Sequence, residues 1–353
     1  MVFNAAAGQS PEQVHVVADP ATGLEAIIVL HSTALGPAVG GCRLRPYADR
    51  NDMVADACRL ARAMAYKNAL ADVPLGGGSA VIRKPPGFVN RRAFFEAFGR
   101  AVQALDGRYV TAADVGTGAE DMRVVAGETR YVAGPPAAAG EIGGDRFDHT
   151  ALGVFLGMRH AVRRRLDRDL SQCTVAVQGV GGVGAALARL LHQAGARLIV
   201  ADIDAEAVAR TAVAVGADVA SVASILGCEA DVLAPCAVGG VLNHRTIPKL
   251  RAKVVCGAAS NQLQEAEDGG RLSDRGILYA PDFVVNAGGT IKIAAEYLGW
   301  SAETASGRTE RIPQRLAKIF DFAERIGVLP EQAAEQRACE LIAAGGHASR
   351  RAA

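Results

Sequence analysis

Three short segments of this chain combine glycine with groups able to do chemistry: Gly40-Gly41, Tyr66-Lys67-Asn68 and Ala113-Asp114-Val115. Lys67 lies at the end of a helical pattern. Met64 on an apolar face before it, and Gly76-Gly77-Gly78 after it, argue against a merely solvated side chain and for one that could hold a carboxylate. Asp114 follows a strand pattern. It can take or return a proton there, or else cap the helix that starts at Ala119. Gly40-Gly41 invites close approach of a ligand or another backbone. Ser79 has neither a Gly-x-Ser-x-Gly setting nor a His/Asp relay in sequence, so it does not read as a hydrolase nucleophile. Among isolated histidines, His149 sits in a loop where it could reach a substrate. The seven cysteines form no CxxC pair and no Cys/His cluster, so neither a disulfide framework nor a metal site is expected.

A fourth segment has a different character. Val175-Ala-Val-Gln178 runs as a strand into Gly179, Gly181 and Gly184. A helical pattern (Ala185 to Ala194) and a second strand (Arg197 to Ala201) follow, ending on Asp202, 23 residues after the first glycine. Strand, glycine turn, helix, strand and acid together specify a dinucleotide site. Gly179 allows the tight turn, Gly181 admits a pyrophosphate and Gly184 lets helix and strand pack closely. Asp202 can accept both ribose hydroxyls and repels a 2′-phosphate, which favours NAD over NADP; the following Ile203 and Asp204 include no arginine to welcome that phosphate.

The elements that must position these residues alternate strand and helix throughout. Strands are expected at Gln13–Val17, Leu24–His31, Ala80–Ile82 and Arg108–Ala112. Helices are expected at Asn51–Asn68, Arg91–Leu105 and Ala119–Ala126. His31 to Gly41 and Val73 to Ser79 read as glycine-rich loops, Gly134 to Gly140 as a linker, and Asp145 to Thr150 as a loop capping a helix from Ala151 to Arg164. The division expected is an α/β substrate, catalytic and oligomerisation domain over 1–134, then a Rossmann domain over 135–325 with a deep cleft between. A C-terminal helix packing back on the first domain, plus a tail, completes the chain over 326–353. The net charge of +1 and the lack of a long basic block argue against a nucleic-acid partner. No run of about 18 apolar residues suggests a membrane span, and no signal-peptide pattern opens the chain, so a cytoplasmic location is expected.

Over nearly its whole length the chain resembles the glutamate/leucine/phenylalanine/valine dehydrogenase family, and its leucine/phenylalanine/tryptophan branch in particular. The motifs that carry the resemblance are Leu35-Gly-Pro-Ala-Val-Gly-Gly-Cys-Arg43, Met64-Ala-Tyr-Lys-Asn-Ala69, Leu75-Gly-Gly-Gly78, Thr111-Ala-Ala-Asp-Val115, Val177 to Gly184, Ala234-Pro-Cys-Ala-Val-Gly-Gly240 and Tyr279 to Gly289. The resemblance implies NAD-dependent oxidative deamination of a hydrophobic or aromatic L-amino acid to its 2-oxo acid, the reverse amination, and a homo-oligomer. It implies that Gly40, Gly41 and Lys67 bind the α-carboxylate and that Asp114 handles the amine proton. Val39, Met64, Thr290 and Ile293 would line the side-chain pocket. Thr150, Ala258 and Asn286 would place the nicotinamide, and Gly182, Val183, Ile203, Cys236 and Ala237 would complete the cofactor site.

Three features depart from the family pattern, one of them Gly144-Asp-Arg-Phe-Asp-His-Thr150, where relatives usually have a Pro/Ser-rich loop before the threonine. Ser79 stands where the family carries its second catalytic lysine, twelve residues after Lys67. Ser260, beside Asn261 in the expected substrate site, replaces an asparagine. An unassisted serine hydroxyl is a poor base, and losing a general base costs about 10²–10⁴ in rate. Three outcomes remain open: a substitution introduced to alter the reaction, an enzyme reducing a preformed carboxylate-bearing imine, or an NAD-binding relative without turnover.

Overall fold

Leu24 to Ser32 is buried along nearly its whole length, and the more exposed Gln13–Asp19 pairs with it antiparallel. The Asp19 side chain accepts from Ala21 N, and Gly23, at φ +75°, closes the turn between them. These are β1 (Gln13–Asp19) and β2 (Leu24–Ser32) of the computed structural model, which describes residues 10–85, 87, 90–134 and 147–352, with side chains to 346. Residues 1–9, most of the Gly134–Gly140 linker and the start of the loop before Phe147 lie outside the described residues.

The chain forms two compact units. One comprises Met1–Gly144, Ile293–Thr304 and Arg337–Ala353; the other comprises Asp145–Lys292 and Ala305–Gln336. In the first, β3 (Ala38–Arg45), α1 (Arg50–Leu70), β4 (Gly76–Arg83), α2 (Arg91–Gln103), β5 (Tyr109–Ala113) and α3 (Ala119–Ala126) follow the hairpin. The mixed sheet has the order β1-β2-β4-β3-β5. Asp49 caps α1 by accepting from Asp52 N. Met53, Val54, Ala57 and Ala61 of α1 pack on Ile27, Val29 and Val81 of the sheet. Burial of each large apolar side chain there stabilises by roughly 1.5–3 kcal/mol.

Two glycine-rich stretches that read as loops are strands. Gly40 and Gly41 lie within β3, and Gly76 to Ser79 open β4. Steric fit accounts for the difference. A Cβ at Gly40 would collide with the Gly78 carbonyl, and one at Gly77 with the backbone of Ala65 on α1. Here glycine serves close packing of neighbouring elements.

In the second unit a six-stranded parallel sheet has the order β11-β10-β9-β6-β7-β8. Its strands are β6 (Thr174–Gln178), β7 (Arg197–Ala201), β8 (Asp218–Val219), β9 (Val232–Pro235), β10 (Val254–Val255) and β11 (Leu278–Tyr279). Chain order reverses between β6 and β9, the doubly wound arrangement that leaves a ligand crevice at the strand C-termini. The helices from here on are α4 (Phe147–Leu166), α5 (Gly182–Gln193), α6 (Ala205–Val215), α7 (Glu267–Asp274), α8 (Asp282–Val285), α9 (Gly288–Leu298), α10 (Ala302–Thr309), α11 (Ile312–Ile326) and α12 (Pro330–Ala352).

Helix α4 starts at Phe147, so His149 and Thr150 belong to its first turn and not to a capping loop; Asp148 there suits the positive end of the helix dipole. Helix α12 continues to Ala352 where a loose tail was expected, and the short α10 carried no strong signal in sequence. Among the described residues, no helix is long and apolar enough to cross a membrane.

Candidate active site

In the first unit Val39, Gly40 and Gly41 lie within β3 beside Ser79 of β4, Asp114 directly follows β5, and Met64 and Lys67 lie toward the C-terminal end of α1. Lys67 is half-buried in the last turn of that helix. Val39 is buried in β3 and Met64 half-buried on α1. The Gly40 carbonyl accepts from the buried Tyr109 hydroxyl at 3.0 Å, and the Gly41 carbonyl accepts from the Ser79 hydroxyl at 3.3 Å. Ser79 is 2% exposed, and its hydroxyl donates to a backbone acceptor.

Asp114 follows β5 and does not cap α3. That cap is Gly118, whose N–H donates to Asp121. Asp114 N donates to Thr117 Oγ1 at 2.8 Å, and Thr117 Oγ1 in turn donates to the Cys42 carbonyl. A Cβ at Gly41 would come within 2.6 Å of Asp114 Cβ, so glycine at 41 makes room for the aspartate. Arg43 Nε donates to Asp114 Oδ2 at 3.1 Å. Sequence reasoning missed this arginine and Asp56 behind it. The available signal was Arg43-x-Arg45 on one strand face, directly after the glycine pair.

The buried Asp56 side chain accepts from Tyr47 Oη at 2.8 Å and Arg59 Nη2 at 2.6 Å, and it pairs with Arg45 at 3.1 Å and Arg43 at 3.5 Å. Burial opposes its charge, but the Tyr47 hydroxyl and the three guanidiniums outweigh burial and hold the carboxyl below its ordinary range.

The second unit holds the glycine turn. Gly179 has φ +93° and lies so close to Ala237 that a Cβ would approach its backbone N to 2.8 Å. A Cβ at Gly184 would collide with the Gly179 carbonyl, so helix and strand pack at van der Waals contact there. Gly181 is the N-cap of α5, and a Cβ on it would meet nothing within 4 Å. That open space in front of free helix N–H groups is what a pyrophosphate requires. Gly182 packs under the Phe147 ring, and Val183 is half-buried behind it. Asp202 Oδ2 accepts from Val180 N at 2.7 Å, and Oδ1 accepts from Asp204 N at 3.1 Å, which ties the acid to the turn. Ile203 beside it is 91% exposed.

Asn286 is 4% exposed and donates to the Ala258 carbonyl at 3.1 Å and to Ser260 Oγ at 3.5 Å. Its Oδ1 is buried with no hydrogen-bond partner among the described residues. An acceptor left in that state fits an amide donor of a bound ligand. Asn261 takes the left-handed conformation at φ +55°, and its carbonyl accepts from Gly240 N. Burial pushes the Cys236 thiol up to about 12, so it is not a thiolate nucleophile at neutral pH. Thr150 is half-buried in the first turn of α4. His149 next to it is held below its ordinary range by burial and then by Lys292, so its imidazole is neutral near pH 7. Thr290, 6% exposed, and the half-buried Ile293 both lie on α9.

Comparison with known proteins agrees with this layout. Residues 11–131 match the family described as Glu/Leu/Phe/Val dehydrogenase, dimerisation domain. Residues 142–209 and 202–345 match Glutamate/Leucine/Phenylalanine/Valine dehydrogenase. Leucine dehydrogenase of Geobacillus stearothermophilus is 46% identical over 94% of this chain and 90% of that protein. Valine dehydrogenase of Streptomyces albus is 45% identical over 94% of this chain and 92% of that protein. The crystal structure of L-tryptophan dehydrogenase from Nostoc punctiforme is similar at a TM-score of 0.82 and 38% identity, covering 96% of this chain and 98% of that one. The chain belongs to the Glu/Leu/Phe/Val dehydrogenase family, pyridine-nucleotide-dependent oxidoreductases that act on the CH–NH2 group of amino acids.

Proposed function

We propose that this chain is an NAD-dependent dehydrogenase of a hydrophobic L-amino acid, with branched aliphatic substrates such as leucine and valine preferred. The observation that carries the cofactor assignment is the turn from Gly179 to Gly184, open at Gly181 and tied to Asp202. Names of the 45–46% identical relatives, leucine and valine dehydrogenase, support the substrate class. In this reading Gly179, Gly181, Gly182, Val183 and Gly184 hold the pyrophosphate. Asp202 and Ile203 take the adenosine end, with the Asp202 charge disfavouring a 2′-phosphate. Asn286 Oδ1, Ala258 and Thr150 fix the carboxamide, with Cys236 and Ala237 alongside. When bound, NAD takes up the hydride released from the substrate α-carbon.

The chain's own residues do the rest. The Lys67 ammonium and the Gly40-Gly41 backbone bind the α-carboxylate. Asp114 accepts a proton from the substrate amine. Ser260 and Asn261 orient the substrate, while Val39, Met64, Thr290 and Ile293 shape its side-chain pocket. Water must then add to the imino acid, and ammonia must leave. Ser79 offers no amine for that step, which favours a second reading in which hydride transfer persists while water addition is slow, as in reduction of a preformed imine. A dimer or larger assembly fits the dimerisation description matched by the first unit.

The test is NADH formation from L-leucine, L-valine, L-phenylalanine and L-tryptophan, and NADH consumption with the matching 2-oxo acids plus ammonia or small amines. Aliphatic substrates should give the highest kcat/KM. No turnover with any of these would remove the dehydrogenase reading.

A further inference from the structure

We propose that Asp56, a buried carboxylate on α1, is a positioning residue for Asp114 and acts through the Arg43 guanidinium. The inference rests on the reading of Asp114 as the acid/base, and it names what holds that group in place.

Arg43 bridges two carboxylates from different elements. Its Nε donates to Asp114 Oδ2 at 3.1 Å, and its Nη1 lies 3.5 Å from Asp56 Oδ2. A guanidinium is a rigid planar fork, so rotating it to follow one carboxylate abandons the other. The Arg43 side chain is 16% exposed, which leaves little room for such rotation. Asp56 itself is over-determined. Besides Arg43 it holds Arg45, Arg59 and the Tyr47 hydroxyl, and its side chain is 2% exposed. The fixed end of the chain is therefore Asp56, and the end with freedom is Asp114.

Three contacts then define Asp114. Thr117 Oγ1 accepts from its N–H and so sets its backbone, the missing side chain at Gly41 admits its Cβ, and Arg43 takes Oδ2. Oδ1 carries no hydrogen bond among the described residues, so one oxygen of the pair is kept for a substrate proton. Arg45 and Arg59, each about half exposed, also pair with Asp56, and among the described residues neither forms an ion pair with Asp114. The relay thus has one arm directed to the reacting group and two that hold the anchor.

Crystal structures and steady-state kinetics of full-length Asp56→Asn, Arg43→Lys and Asp114→Asn decide the matter. In Asp56→Asn the Arg43–Asp114 contact should break and the Asp114 carboxylate should turn. The kcat for the preferred amino acid should fall by about 10- to 100-fold, the cost of a misplaced reacting group, with KM and NADH affinity unchanged. Arg43→Lys keeps the charge and loses the fork; it should give the same kcat loss, and it carries the test alone if loss of the buried charge at 56 prevents folding. An Asp114 still held by Arg43 in Asp56→Asn, with kcat intact, overturns the proposal. So does a loss confined to KM or to cofactor affinity. An inactive Asp114→Asn beside a fully active Asp56→Asn sinks the positioning role alone, whereas a fully active Asp114→Asn removes the acid/base reading and this inference with it.

Discussion

Ser79 Oγ lies 3.3 Å from the Gly41 carbonyl oxygen, so the hydroxyl closes a contact between β4 and β3. That hydrogen bond is the contact a substitution at 79 would remove. Ser79→Ala should therefore lower stability by about 0.5–1.5 kcal/mol, the net worth of one hydrogen bond, and leave kcat/KM unaltered. Ser79→Lys should raise oxidative deamination by about 10²–10⁴, the usual contribution of a general base. Initial rates with L-leucine and thermal melts of the two variants check this. Abolition of turnover by Ser79→Ala would show instead that the serine itself takes part in the reaction.

Gly181 and Gly184 should separate cofactor binding from folding. A Cβ at 181 meets nothing within 4 Å in the protein, whereas one at 184 collides with the Gly179 carbonyl. Gly181→Ala should melt like the parent and bind NADH more weakly, because its methyl group enters the phosphate approach. Gly184→Ala should lose both stability and binding, since β6 and α5 must move apart. Melting curves with and without NADH distinguish the two patterns, and equal loss of stability in both variants would count against the phosphate assignment.

Asp202 joins the glycine turn to the expected ribose site through Val180 N at 2.7 Å. Asp202→Asn removes the charge while keeping the shape. Hydrogen bonds to charged groups contribute about 1.5–3 kcal/mol, so NADH affinity should fall by roughly 10- to 100-fold. NADPH affinity should hold or improve as repulsion of the 2′-phosphate disappears. Titration with both cofactors measures the ratio, and an unchanged ratio rules out Asp202 as the selector.

Glu331 gives the second unit a pH dependence. Near the start of α12 it is 9% exposed, and neither carboxylate oxygen has a partner among the described residues. Burial, above all, raises its pKa from 4.5 to about 7, with Glu335 adding to the rise. The folded chain thus binds a proton that the unfolded chain has already released between those values. The contribution is favourable to folding below pH 4.5 and is lost as pH rises to about 7. Glu331→Gln should be more stable than the parent at pH 8, by about 3 kcal/mol at most, and should lose that advantage near pH 5. Denaturant melts at the two pH values check it; a gain independent of pH would show that the carboxylate ionises freely in the fold.

The glycine turn of the second unit was legible in sequence because each glycine there answers a local demand: a positive φ at Gly179, open space at Gly181, tight packing at Gly184. The alternation of strand and helix also gave the α/β architecture, since its periods are local. Gly40-Gly41 and Gly76 to Gly78 read as loops because local propensity penalises glycine in strands. What places them in strands is the approach of Gly78 and Ala65, many residues away in sequence. For the same reason Lys67 and Asp114 stood out as chemistry while Asp56 did not. It lies 13 residues from Arg43 and 58 from Asp114, and only the folded sheet shows that one guanidinium serves both.

The first unit is assembled from three separate stretches, of which the last begins at Arg337. A ribosome therefore finishes Met1–Gly144 long before that final stretch exists; Cys339, whose thiol reaches the Tyr66 hydroxyl at 3.6 Å, belongs to that stretch. At about 5–20 residues per second the nascent unit waits on the order of ten to forty seconds for its missing part. Throughout that interval α1, which carries Lys67 and Asp56, lacks the contact between Tyr66 and Cys339. Removal of the stretch from Arg337 should therefore be felt at α1, far from the cut in sequence.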